Sequence, residues 1–235
     1  MPKLTLLDMT QSILSAMDSD DVNDIDDTVE SIQVADLVRE AFYELMSERD
    51  WPFLQQLTTF NSLADPNNPT KMEMPENLNK VLWVKYNKKE VRYLSPSDFD
   101  DLLSKREVLA NVVNSNGIIM NRDPQYYTSY DEKYIFFDSY EATVDSVLQS
   151  AKCKVFGVVS PQWQHQNNFI PDIPEKFFTT LLAEAKSQAF VNLKQQVNAR
   201  EERKAQKGRI RLQSESYKIN DGEFRFNGKV NYGRR

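Results

Sequence analysis

The chain has 235 residues, 40% apolar and 11% aromatic, which is enough for one sizeable domain or two small ones with a real core and argues against a disordered chain. Its formal net charge of −6 is segregated: residues 1–50 hold thirteen acidic against three basic residues, whereas residues 200–235 hold eleven basic against five acidic. Single copies of cysteine (Cys153) and histidine (His165) exclude an internal disulfide framework and Cys/His metal clusters, and with no glycine before Gly117 a glycine-rich phosphate cradle is excluded too.

Apolar residues at Leu6, Leu7, Met9, Ile13, Leu14 and Met17 recur at helical spacing and predict a first amphipathic helix within 4–17. The following DSDDVNDIDD, residues 18–27, has the look of a calcium loop. In that register, however, Val22 falls on the fifth position, Asn23 on the glycine position and Val29 on the position that needs glutamate, so it reads as a solvated acidic loop. Asp27 with Glu30 resembles a capping box, and Val34, Leu37, Val38, Ala41 and Leu45 trace a second helix to about Arg49, ended by Trp51-Pro52.

From Phe53 the period changes to that of strands. KVLWVKY and EVRYLSP flank Asn87-Lys88-Lys89 as a predicted hairpin, YYTSY and KYIFFDS flank Asp131-Glu132 as another, and CKVFGVVSP makes one more strand. SPSDFDDLLSKR, with Ser95 and Asp98 as a cap and Phe99, Leu102 and Leu103 on one face, predicts a short helix between them. After Pro171, Asp172 and Pro174, the stripe Phe178, Leu181, Leu182, Ala185, Ala189, Leu193 and Val197 predicts a long helix over about 174–206, ending at Gly208. Its core face is expected to meet Leu37, Val38, Ala41 and Leu45.

The last stretch, SYKINDGEFRFNGKVNYGRR, alternates Tyr217, Ile219, Phe224, Phe226, Val230 and Tyr232 with polar residues and carries turn signals at Asp221-Gly222 and Asn227-Gly228, a strand pattern. Three readings stand side by side: a docking arm that adds strands to another chain's sheet, a basic aromatic tail for nucleic acid, and a disordered tail. Alternation and turns favour docking. The expected fold is α+β. Residues 1–52 and 171–208 pack as a helical bundle, an antiparallel β-rich unit is inserted over 53–170, and an extended arm spans 209–235.

No pair of carboxylates is singled out for acid/base work, and neither a nucleophile with its base nor a cofactor motif can be read, so no enzyme and no cofactor are expected. No apolar run approaches the ~18 residues of a membrane span, which predicts a soluble protein made in a cytoplasm.

The order of these pieces resembles the head-to-tail adaptor proteins of short-tailed bacteriophages. The likeness rests on LTLLDMTQSILSAM, ERDWPF, MEMPENLNKVLWV and IPDIPEKFFTTLLAEAKSQAF and covers most of residues 4–200. Two departures are visible: Met17-Asp18-Ser19-Asp20-Asp21 stands where that family commonly has a glycine-and-proline turn, and the tail after Gly208 is longer. The resemblance implies a structural virion protein of the tail neck, assembled in the host cytoplasm as a homo-oligomeric, typically dodecameric ring. Such a ring sits between the portal protein and the tail nozzle protein, and genomic DNA passes through it without specific binding. It carries no catalytic residues. Portal or subunit docking would then fall to Arg209, Arg211, Tyr217, Ile219, Phe224, Arg225, Phe226, Val230 and Tyr232; the alternative is a DNA-binding accessory protein using the same basic tail.

Overall fold

A computed structural model describes residues 3–107 and 117–227. The fold is α+β, and the chain divides into two compact units, one made of Met1–Phe53 with Pro161–Arg235 and the other of Leu54–Ser160. The boundaries thus fall one residue later and ten residues earlier than the sequence suggests, and residues 209–227 form no separate arm.

The first unit holds helices α1 (Leu6–Ala16), α2 (Val29–Ser47), α4 (Glu175–Lys194) and α5 (Ala199–Asn227). Thr5 caps α1, accepting from the Asp8 amide while the Asp8 carboxylate accepts from the Thr5 amide. The next free amides of α1, on Leu6 and Leu7, donate to the carbonyls of Phe169 and Asn167. The cap of α2 is Thr28 with Ser31, one residue beyond the expected Asp27 and Glu30. Asp27 is already engaged, accepting from the amides of Asn23 and Asp24 at 2.9 Å, and Glu30 pairs with Lys194 at 3.4 Å. Beyond α2, Trp51 is buried against Phe177 at 4.9 Å and donates its indole N–H to the Leu45 carbonyl. α2 and α4 pack as expected through Leu37, Val38, Ala41, Leu45, Leu181, Ala185 and Ala189, all buried. Leu182 departs from this set: it is half-buried and faces α5.

The single long helix expected over 174–206 is two. Gln195 takes a left-handed conformation (φ 52), its amide and that of Gln196 both donate to the Phe190 carbonyl, and Asn198 caps α5 by accepting from the Glu201 amide. Val197, expected in the core stripe, lies in this corner and is exposed. Gly208 does not end a helix. It sits inside α5 where α5 crosses α4, and a methyl group there would collide with the side chain of Thr180. The strand reading of the tail is overturned through Asn227: Tyr217, Ile219, Phe224, Arg225 and Phe226 belong to the 29-residue α5. Val230 and Tyr232 lie outside the described residues. Ala205, Leu212 and Ser216, on one face of α5, are buried, so packing sets a helical period through Ser216, and the helix continues from there through Asn227.

The second unit contains β1 (Gln55–Thr58), β2 (Asn61–Ser62), β3 (Lys71–Glu73), β4 (Leu78–Tyr86), β5 (Lys89–Tyr93), α3 (Pro96–Glu107), β6 (Tyr126–Thr128), β7 (Tyr134–Phe137) and β8 (Cys153–Val159). The strand order is β1-β8-β4-β5-β6-β7-β3-β2. Only Thr59 and Phe60 separate β1 from β2, a reach of about 10 Å, yet the two strands stand at opposite ends of that order, so the sheet curls until its ends meet. Phe60, Met72, Val84, Tyr127, Phe137 and Val155 fill the inside of the curl. The β4–β5 hairpin turns on Asn87 and Lys88, both at positive φ as a two-residue turn of this hand demands. The expected wholly antiparallel arrangement is corrected where β5 pairs parallel with β6, and the isolated bridge between Ile119 and Ser139 is parallel as well. The long connection carrying α3 makes the crossover that a parallel pair needs.

Asp138 locks that crossover. Its carboxylate, fully buried, accepts from Arg106 of α3 at 3.0 Å, from Arg122 at 3.3 Å, and from the amides of Gln125 and Tyr126 at 2.8 and 2.9 Å. A buried charge is tolerated only when paired and hydrogen-bonded in this way.

Candidate functional site

α4 and α5 run antiparallel. Lys176 near the start of α4 meets Glu215 at 2.6 Å, Arg209 meets Glu184 at 2.8 Å midway, and beyond them the helices leave a groove of about 1090 Å³. Its apolar floor comes from Leu182, Ala183 and Leu212. Its rims carry Lys176 and Lys186 on α4 and Lys204, Lys207 and Arg211 on α5, against only Glu175 and Glu201. On α5 the spacing of Lys204, Lys207 and Arg211 puts three cations on one helical face.

Desolvation governs the groove's electrostatics. Burial pulls the Lys186 ammonium below its usual range, Glu201 opposes this, and Lys204 adds to it. Lys204 spends its charge locally on Glu201, within an i,i+3 pair, while Arg211 reaches Glu215 at 3.2 Å and its side chain remains mostly exposed. The Glu215 carboxyl is held below its ordinary value by the Lys176 hydrogen bond and, more weakly, by Arg211. The surplus of positive charge along an apolar floor suits an anionic segment with aliphatic side chains.

Of the residues singled out in the sequence, Arg211 stands on this groove. Arg209 does not. It binds Glu44 at 3.0 Å, Glu48 at 2.7 Å and Glu184 at 2.8 Å, and so clamps α2, α4 and α5 together. Burial raises the Glu184 carboxyl above its ordinary value, and neighbouring Glu44 and Glu48 push the same way against the pull of Arg209. Sequence reasoning missed Lys176, Lys186, Lys204 and Lys207, although the three- and four-residue spacing of cations on α5 was a usable signal.

Burial pushes the Cys153 thiol up to about 11, which leaves it protonated and unreactive. A smaller cavity of about 360 Å³ in the β unit is lined by Glu141, which accepts from the Thr143 hydroxyl, and by charges in ion pairs, Lys152 with Asp145, Lys89 with Asp123 and Arg122 with Asp138. Among the described residues no three His, Cys, Asp or Glu side chains stand where they would hold a metal ion, and no helix is long and apolar enough to cross a membrane. Neither a scan against protein-family profiles nor a search of curated proteins finds a match to this chain.

Proposed function

We propose that this chain is a structural virion protein, a head-to-tail adaptor whose copies form a closed ring between portal and tail nozzle and surround the path of the DNA. In this reading α1, α2, α4 and α5 are a helical bundle into which the β unit is inserted, and the bundle carries the docking site. The supporting observation is the cation-rimmed groove between α4 and α5, whose apolar floor and surplus of positive charge suit an acidic, partly apolar segment of the portal. The docking element is therefore a helix face centred on Lys204, Lys207 and Arg211, in place of the extended arm that the sequence suggests. The protein performs no catalysis and needs no cofactor, and DNA passes the ring without specific contacts.

The test combines imaging with one variant. Negative-stain images of the purified protein should show rings, and portal particles should capture the parent but not Lys204→Glu/Lys207→Glu, whose exposed positions leave folding intact. A protein that stays monomeric at every concentration and binds duplex DNA with affinity falling steeply in salt would refute the adaptor and favour the DNA-binding accessory protein, because counterion release marks a true phosphate binder.

A further inference from the structure

The curled sheet presents an outer face that α3 leaves open. Across β1, β8 and β4 this face carries a row of large side chains in register: Leu57 opposite Phe156, and Phe156 opposite Trp83. Leu57 is 57% exposed, Phe156 and Trp83 are half-buried, and Leu82, the residue passed over by the register shift in β4, is 40% exposed. Around the row stand Lys85, level with Lys154, together with Lys80 and Arg92; Glu90 is the acid among them. An apolar stripe with a cationic border is a docking surface rather than ordinary solvent-facing sheet.

Its chemistry favours protein over nucleic acid. Phe156 stacks on the Trp83 ring at 5.5 Å with an interplanar angle of 21°, and the Lys85 ammonium stands over the same ring at 4.7 Å. A ring engaged in this way does not offer the free face that base stacking needs.

A matching surface of opposite charge lies on α2. Val29, Ile32, Asp36, Glu40 and Tyr43 fall within an arc of about 80° at 100° per residue, and all are exposed or half-exposed. Val29 is 72%, Ile32 38% and Tyr43 44% exposed. Asp26 and Asp27 continue the acidic character at the start of the helix, and the single cation beside the stripe, Arg39, is paired with Asp36 at 3.1 Å. The stripe is apolar and acidic; the sheet face is apolar and basic.

We propose that in neighbouring copies these two faces meet, α2 of one copy lying across β1, β8 and β4 of the next. The contact joins two different surfaces, so it is heterologous and repeats head to tail; in the adaptor reading that repeat closes into a ring. It rests on the adaptor reading and names the subunit interface of that ring, separate from the α4–α5 groove assigned to the portal.

The experiment uses two full-length variants, Lys85→Glu/Lys154→Glu on the sheet face and Asp36→Lys/Glu40→Lys on the α2 face, with mass read by sedimentation velocity and fold by circular dichroism. Each alone should lose the ring and sediment as a folded monomer. Mixed in equal amounts they should assemble again with the two variants alternating, because unaltered α2 meets an unaltered sheet face at one contact and the two reversed faces meet at the next. A chain bearing all four changes should assemble again. Rings formed by either variant as readily as by the parent, or a mixture that stays monomeric, would overturn this interface while leaving the adaptor reading in place. A parent that never assembles would overturn both.

Discussion

Replacing Gly208 with alanine sets two opposed effects against each other at one atom. Alanine is favoured over glycine inside a helix by about 1 kcal/mol, so at an ordinary helical site Gly208→Ala would stabilise the protein. At this site the added carbon falls under 3 Å from the γ-methyl of Thr180 and closer still to its hydroxyl oxygen. Thr180 is only 4% exposed and branched at Cβ, so exchanging its rotamer still leaves a γ-atom on the same crowded side and little room to withdraw. Overpacking of this kind costs about 1–3 kcal/mol against a propensity gain of about 1 kcal/mol, which leaves a net loss of up to about 2 kcal/mol. Urea denaturation followed by far-ultraviolet circular dichroism measures the difference. The sign should reverse in a Thr180→Ala background, where the obstructing atoms are gone and only the helical preference remains, giving a coupling energy of about 2 kcal/mol between the two sites. A Gly208→Ala variant more stable than the parent would refute the close crossing of α4 and α5.

Asp138→Asn should destabilise the β unit by about 3–5 kcal/mol, since it leaves Arg106 and Arg122 facing a neutral group. Hydrogen exchange at the Gln125 and Tyr126 amides, which donate to that carboxylate, should accelerate, and unchanged protection would count against the latch. Glu184→Gln should be at least as stable as the parent at neutral pH. A carboxyl whose folded pKa is raised above its ordinary 4.5 contributes stability below that value and loses it as pH rises through the folded pKa. The variant's advantage should therefore shrink as pH falls toward 4.5, and a clear loss of stability at neutral pH would mean that the pairing with Arg209 outweighs the cost of burial.

Features governed by neighbours in sequence were legible there. The Ser95–Asp98 cap of α3, the turn at Asn87-Lys88, and the apolar period of α1, α2 and α4 are each decided within a few residues, so reading them needs no knowledge of what lies opposite. The α+β class follows from the change of period near Phe53. Fine placement already depended on competition: Asp27 is a good cap by type, yet Thr28 took the role because the loop amides of Asn23 and Asp24 claimed the Asp27 carboxylate.

What tertiary structure alone decided lies where the local signals were weak or contradictory. The stretch from Ser216 alternates like a strand and contains Asp221-Gly222, yet it continues a helix that the burial of Ala205, Leu212 and Ser216 along one face has already established, and a formed helix extends more easily than a new strand begins. Gly208 reads as a stop in sequence and is a crossing point in space, because only the position of Thr180 shows what its missing side chain makes room for. Arg209 and Arg211 look alike on the chain; two residues apart on a helix they face different ways, one into three carboxylates and the other onto the groove. The parallel β5–β6 pair and the meeting of sheet ends at Phe60 depend on partners far along the chain, and a residue's own neighbours carry no record of which distant surface will exclude water from it.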